Sequence, residues 1–546
     1  MIELVLVFGF FMILLDTTIV NIAIPSIIDG LKASLDQILW VINGYILVYA
    51  VLLITAGRLG DYFGQRNVFA IGLVIFIAAS AACGLAQDPS QLIAFRVIQG
   101  VGGALMAPQT LAIITQIFPP QQRGAAYGVW GAVGGIASVA GPTLGGFLVT
   151  DYSWRAIFYL NVPIGIAVLL ATFIIVPDLR QGVRHQWDLL GVLLASAGIF
   201  AISYGLIEGQ PKNWGAVFGP VTIWELIAAG VVLLVLFVVW ERFQKEPLLP
   251  LSLFTSSRNF SAANFVAAAM QFGMLGLFLP FVIYLQSVLG MTALQAGLTI
   301  VPMALVSMVT APNAGRLADR IGGKYILMTG LVLLAAGMGL IIAVAGVDSH
   351  WYTFLPAVIV AGLGMGMVYA PMTQVAMQNV RPQLAGAASG MLSTSQQMGA
   401  VIGSAAVGAL LQSSLASNLK TEAINRAVAL PQQFRQQFIN GFSNAASGGL
   451  QVGAGQTGAA THLPPGVPAQ VIQLLQSISH DVFVNAFLDA LKSTLYLPIG
   501  VLLVGALATL MIRRHAATAA AAWGEAGATT DPAGATTDPA GAWPVA

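Results

Sequence analysis

Apolar residues run along this chain in long stretches, each closed by a charged residue or a Gly/Pro-rich break. Fourteen such runs lie near 4–24, 38–58, 68–87, 91–115, 124–149, 156–176, 188–207, 219–240, 260–284, 294–314, 324–345, 352–377, 385–411 and 486–512. Most reach the 18 or so residues that a hydrocarbon core of about 30 Å demands of a helix. They predict an all-α polytopic membrane protein with fourteen transmembrane helices.

Composition agrees: 8% of residues are charged and 57% are apolar, against about 25% and 45–50% in soluble domains. Such a chain has too little polar surface to cover itself in water, so the lipid bilayer is its expected surrounding. Net charge is +1, and the basic residues sit in short clusters between apolar runs, which gives no support to nucleic acid as a partner. Cys83 is the single cysteine and lies inside an apolar run, and the five histidines fall in connecting segments or the tail. Disulfides, thiol catalysis and metal centres are therefore unsupported, and no cofactor is expected. The stretch from Met1 to Ile24 lacks a basic leader and an A-x-A-like cleavage site, so it reads as a retained span.

Orientation follows from the short loops. One face collects the Lys and Arg from Arg58 through Arg514, whereas the opposite short loops hold Lys32, Arg155 and Lys212. The Arg-rich face is expected to be cytoplasmic, and an even number of spans puts both termini there. The expected domains are a six-helix bundle over 1–180 and two additional helices with a cytoplasmic linker over 181–250. A second six-helix bundle over 251–515 follows, with a long extracellular loop at 412–485. Two weak amphipathic stretches in that loop, near 421–442 and 468–482, predict a small hairpin. The tail 516–546 repeats GATTDPA and cannot bury a core, so it is expected to be disordered.

A ten-residue string recurs. Gly57, Arg58, Asp61, Gly64 and Arg66 reappear 258 residues later as Gly315, Arg316, Asp319, Gly322 and Lys324, with Arg320 added in the second copy. Each copy joins the second and third helix of a six-helix block. Parallel halves of this kind place a binding site near the midplane, where they rock about it. The glycines permit tight turns, and an acid can face the positive N-terminus of a neighbouring helix.

Asp16 lies about 18 Å along the first helix from its start near residue 4, at about 1.5 Å per residue. Holding it ionised in the membrane costs about 2.5–3.5 kcal/mol on insertion scales. An acid so costly to keep charged suits a proton-coupled carrier, although a packing acid satisfied by Thr17 and Thr18 is the alternative. Arg96, near the start of the fourth span, stays charged and needs an acid, carbonyls or water. It either pairs, with Asp16 as a candidate, or snorkels to an interface. Gly131, Gly135, Gly141, Pro142, Gly145 and Gly146 give the fifth span a face of small residues suited to close helix contact. Thr17, Asn21, Gln99, Gln271, Met274, Tyr369 and Met372 are candidate cavity residues.

The G-x-L-x-D-x-x-G loop resembles the signature of the major facilitator superfamily, and fourteen spans resemble its drug/proton antiporter branch. That resemblance covers roughly residues 10–512. It implies two six-helix bundles with two extra helices between them. The family's first-helix motif has the D-x-T-x-x-N-x-A-x-P form that begins at Asp16, and the string from Arg96 to Ala104 resembles a motif associated with proton transfer. The G-P-x-x-G-G string from Gly141 to Gly146 resembles the motif that marks antiporters. Trp154, Arg155, Phe158, Asn161 and Pro163 also resemble the fourteen-span branch. The implied activity is export of small apolar or cationic compounds in exchange for protons, by a monomer in the cytoplasmic membrane. A proton-linked importer of a nutrient or organic anion is the alternative. No P-loop or nucleophile constellation supports an enzyme.

Overall fold

A computed structural model describes residues 1–513 apart from 34, 120–121, 179–187, 210–211, 213, 245–246, 379, 382–383 and 448–468. The expected disordered tail therefore lies outside the described residues, as do Arg180, Arg184, His185 and Lys245. The first half comprises α1 (Ile2–Leu31), α2 (Leu35–Phe63), α3 (Gln65–Leu85), α4 (Pro89–Ile117), α5 (Arg123–Asp151), a short α6 (Ala156–Tyr159) and α7 (Asn161–Ile175). Between the halves come α8 (Leu189–Gly209) and α9 (Ile223–Glu241), and then the short α10 (Ser252–Ser256). The second half holds α11 (Arg258–Ser287), α12 (Ala293–Ile321), α13 (Gly323–Val344), α14 (Leu355–Met377), α15 (Ala385–Ala427), α16 (Gln432–Ser447) and α17 (Ala469–Ala508).

Thirteen helices among the described residues are long and apolar enough to cross a membrane. The fourteenth expected span is α5, 29 residues long, whose glycines and alanines suit it to tight packing. The halves meet where the second and fifth helix of each cross: α2 packs on α15 and α5 packs on α12. The α8–α9 pair leans on α2 and α15, touching both halves.

Local sequence sets the helix ends. Asp88 accepts the Gln91 amide at 2.9 Å with Pro89 opening α4, which starts that helix two turns before Arg96. Glu225, at the edge of its span, completes a capping box with Thr222 on α9. A short hairpin, β1 (Ala216–Phe218) with β2 (Val221–Thr222), precedes that cap. The eighth span consequently begins at Ile223, after the expected residue 219.

The segment expected to be a separate hairpin is instead continuous with the spans. Helix α15 runs for 43 residues, about 64 Å at roughly 1.5 Å per residue, twice the hydrocarbon thickness of about 30 Å. Its end, α16 and the start of α17 make a helical module that buries Leu419, Ala423, Phe438, Phe442, Ile478 and Val482 in continuity with the core of the bundle. Arg426 bridges Glu422 at 3.2 Å and Asp481 at 3.0 Å across that module. Apolar content ends at the bilayer edge, but the backbone hydrogen bonds of a helix do not. Phe442 is fully buried, so Phe442→Ala is expected to cost about 3–5 kcal/mol locally. Proteolysis should then cut within 412–485 far faster than in the parent protein, with the membrane bundle intact.

Candidate functional site

Two clusters stand out, one in the first half and one between the halves. In the first, α1 supplies Asp16, α4 supplies Arg96 and Gln99, and α7 supplies Asn161. Asp16 is 0% exposed and Arg96 is 1% exposed. The Arg96 guanidinium forms an ion pair with Asp16 Oδ2 through Nη1. Gln99 Nε2 and Asn161 Nδ2 donate to Asp16 Oδ1 at 2.9 and 3.1 Å. Both carboxylate oxygens are thereby satisfied, as a buried charge requires.

Arg96 is held from other sides as well. Its Nε donates to the Val41 carbonyl at 3.1 Å, and Nη1 donates to Gln99 Oε1 at 2.8 Å. The Tyr45 ring lies 4.3 Å from its Cζ, an arrangement in which the ring face attracts the cation. Gly100 permits this approach, because a side chain there would strike the backbone of Tyr45. Asn161 is oriented in turn by Ser80 Oγ at 3.1 Å, and Ser80 donates to the Phe158 carbonyl at 2.9 Å. Arg96 is thus a pairing residue; the snorkelling alternative is corrected by its burial two turns inside α4.

The second cluster is a cavity of about 250 Å³ between the halves, lined by Thr17, Gln271, Met274 and Tyr369 together with Phe10, Trp130, Gln396 and Gln397. Phe10 stacks on Trp130 at 4.2 Å, and Tyr369 donates to Gln271 at 3.0 Å. Two expected cavity residues sit elsewhere. Gln99 is fully buried on Asp16, because its amide completes that charge network, and Met372 is 0% exposed in the helix-packing core. Asn21 lies outside the described side chains. Gly131 borders the cavity at Tyr369, Gly141 packs against Thr18, Gly145 is buried and Gly146 faces open space. Gly135 and Pro142 lie outside the described side chains.

The repeated strings are mostly helical, a correction to their reading as loops. Residues 57–63 end α2 and 315–321 end α12. Gly64 (φ 89°) and Gly322 (φ 85°) each make the whole turn in a conformation that favours glycine. Each acid then reaches the start of a helix in the other half. Asp61 accepts the Gly386 and Ala387 amides of α15 at 2.8 and 2.9 Å. Asp319 accepts the Gly124 amide of α5 at 3.1 Å and the Gln374 side chain at 2.6 Å. These carboxylates meet the positive ends of two helix dipoles. Gly57 lies against Gly386, and Gly315 lies against Gly124, backbone to backbone.

The basic members play other parts. Arg58 bonds Tyr62 at 3.1 Å and lies 3.8 Å from Asp61, Arg66 pairs with Asp178 at 3.3 Å, and Lys324 donates to the Leu510 carbonyl at 2.7 Å. Arg316 and Arg320 are exposed. Sequence reasoning did not give Asn161 a role at Asp16 or foresee Ser80 and Tyr45. Asn161 at least carried a signal, as part of the string that runs from Trp154 to Pro163.

The Major Facilitator Superfamily pattern matches residues 6–404. The chain is 41% identical over 75% of its length to an MFS-type transporter of Mycobacterium tuberculosis, Rv1250, covering 70% of that protein. It is 37% identical over 74% of its length to the tetracenomycin C resistance and export protein of Streptomyces glaucescens, covering 74% of it. Among solved structures, the human organic anion transporter MFSD10 shares the fold with a TM-score of 0.56 at 13% identity, over 92% of this chain and 98% of that one. The chain belongs to the major facilitator superfamily and is a multi-pass membrane transporter, not an enzyme.

Proposed function

We propose that this transporter exports small apolar or cationic compounds across the cytoplasmic membrane in exchange for protons, as a monomer with both termini in the cytoplasm. The observation that carries the reading is the sealed Asp16–Arg96 pair, one residue from the cavity wall at Thr17. Direction is supported by the relative named for antibiotic resistance and export and by the G-P-x-x-G-G string.

A proton arriving on Asp16 cancels its charge and weakens the ion pair, leaving Arg96 to the Val41 carbonyl, Gln99 and the Tyr45 ring. Helix α1 is then freer to shift against α4, and Thr17 and Thr18 shift with it at the cavity. The aromatic faces of Phe10 and Trp130 suit flat apolar rings and organic cations. Gln271, Gln396 and Gln397 offer adaptable hydrogen bonds. In membrane vesicles loaded with a cationic dye, the parent protein is expected to move protons against dye. Asp16→Asn should reduce this coupled flux to background while leaving downhill dye passage measurable. Equal coupling in the two proteins would overturn the assignment of Asp16.

A further inference from the structure

A third cluster of buried charge lies outside both sites, at the Arg-rich end of the α8–α9 pair. Asp188 precedes α8 and is 8% exposed; Glu241 ends α9 and is 3% exposed. Asp188 Oδ1 accepts the Gly191 amide at 2.8 Å and the Trp240 indole at 2.9 Å. Glu241 Oε2 accepts the Leu249 amide at 3.3 Å. The remaining oxygens, Asp188 Oδ2 and Glu241 Oε1, are buried and have no donor.

These two oxygens converge over the α-carbon of Gly191. A methyl there would lie 2.8 Å from Glu241 Oε1 and closer still to Asp188 Oδ2. Ionised carboxylates only accept hydrogen bonds, so two facing oxygens repel until a proton is placed between them. One proton converts the clash into a donor and acceptor pair.

Among the described residues, the surrounding charges do not supply another counterion. Helix α8 offers no other acid or base near this end, and Arg242 after α9 is exposed. On α2 the nearest charges, Arg58 and Asp61, are engaged with each other and with Tyr62 and α15. Helix α15 carries no charged residue before Lys420, and α10 carries none. Lys245 and Glu246 in the linker, and Arg180, Arg184 and His185 before Asp188, lie outside the described residues.

The linker held by Glu241 occupies a strategic place. Leu248 and Leu249 pack with Ile54 of α2, Ile199 of α8 and Phe237 of α9, beside Met391 of α15. Helices α2 and α15 are the pair joined at Asp61. We propose that Asp188 and Glu241 are a second proton site of the molecule: they share one proton, which latches the linker after α9 into the seam between α2 and α15. The proton is bound in the latched state and lost in the released one, so the latch holds at low pH and opens as pH rises on the Arg-rich face. This inference does not depend on Asp16 or on antiport.

The test is hydrogen exchange of the full-length protein in lipid nanodiscs from about pH 6 to pH 9, corrected for intrinsic exchange rates. Protection of the Leu248 and Leu249 amides is expected to fall about tenfold per pH unit on the alkaline limb, the slope of one linked proton. In Glu241→Gln the amide oxygen still accepts from Leu249 and the amide N–H donates to Asp188, so protection should stay high throughout. Asp188→Asn supplies the donor from the other side and should also flatten the profile. Exchange in α13 reports whether each variant is folded. A pH-independent linker in the parent, or a Glu241→Gln profile as steep as the parent's, overturns the proposal.

Discussion

Arg96→Met is expected to lower the stability of the folded protein by about 3–5 kcal/mol, the usual cost of leaving one partner of a buried ion pair unpaired. The reason is local: Asp16 has no solvent to turn to, and Gln99 and Asn161 together supply donors to only one of its oxygens. Adding Asp16→Asn to Arg96→Met should recover most of that loss, because replacing a buried pair by neutral groups of similar volume is often close to neutral. Transport should not recover, since neither Asp16, the proposed proton carrier, nor its counterion Arg96 is present. Thermal unfolding in detergent, read as a double-mutant cycle, measures both effects. A single Arg96→Met variant as stable as the parent would show that the pair does not carry the charge balance of α1 and α4.

A comparable effect on activity is expected from one methyl group at Gly315. The backbone of Gly124 already touches its α-carbon, so Gly315→Ala must push α5 and α12 apart where the halves close. Overpacking of this kind costs about 1–3 kcal/mol, and at the upper end the closed state is depleted roughly a hundredfold. Turnover should fall accordingly, with folding retained because the clash disappears when the halves separate. Gly500→Ala is the control: it makes the same change within a helix, but nothing lies within 4 Å of the added carbon. Similar turnover by both variants would mean that the Gly124–Gly315 contact does not limit closure.

The number of spans was legible because the bilayer imposes a length on every apolar run. The repeat exposed the two halves because a string duplicated in register, at the same place in each six-helix block, seldom arises by chance. Asp16 and Arg96 were legible one at a time, as charges too costly to leave alone in lipid. Their partners were harder to see. Asn161 and Ser80 are ordinary polar residues whose meaning comes from a relay across three helices, Ser80 holding Asn161 and Asn161 donating to Asp16, and linear spacing does not encode that. Gln99 was assigned to the cavity on chemical type, whereas its place on α4, three residues after Arg96, turns it toward the ion pair. The long helices α15 and α17 were cut short because hydrophobicity marks where lipid ends, not where a helix does.

Helix α15 begins at the amides held by Asp61 and ends beneath the core of the module around Phe442. Its unbroken 43 residues make it a lever about 64 Å long. A tilt of about 5° at one end, pivoted at the other, sweeps the far tip by about 5 Å over that length. Opening the seam at Gly386 is therefore expected to move the far end of α15, and a binder clamped on the module there should slow transport without touching the Asp61 contact.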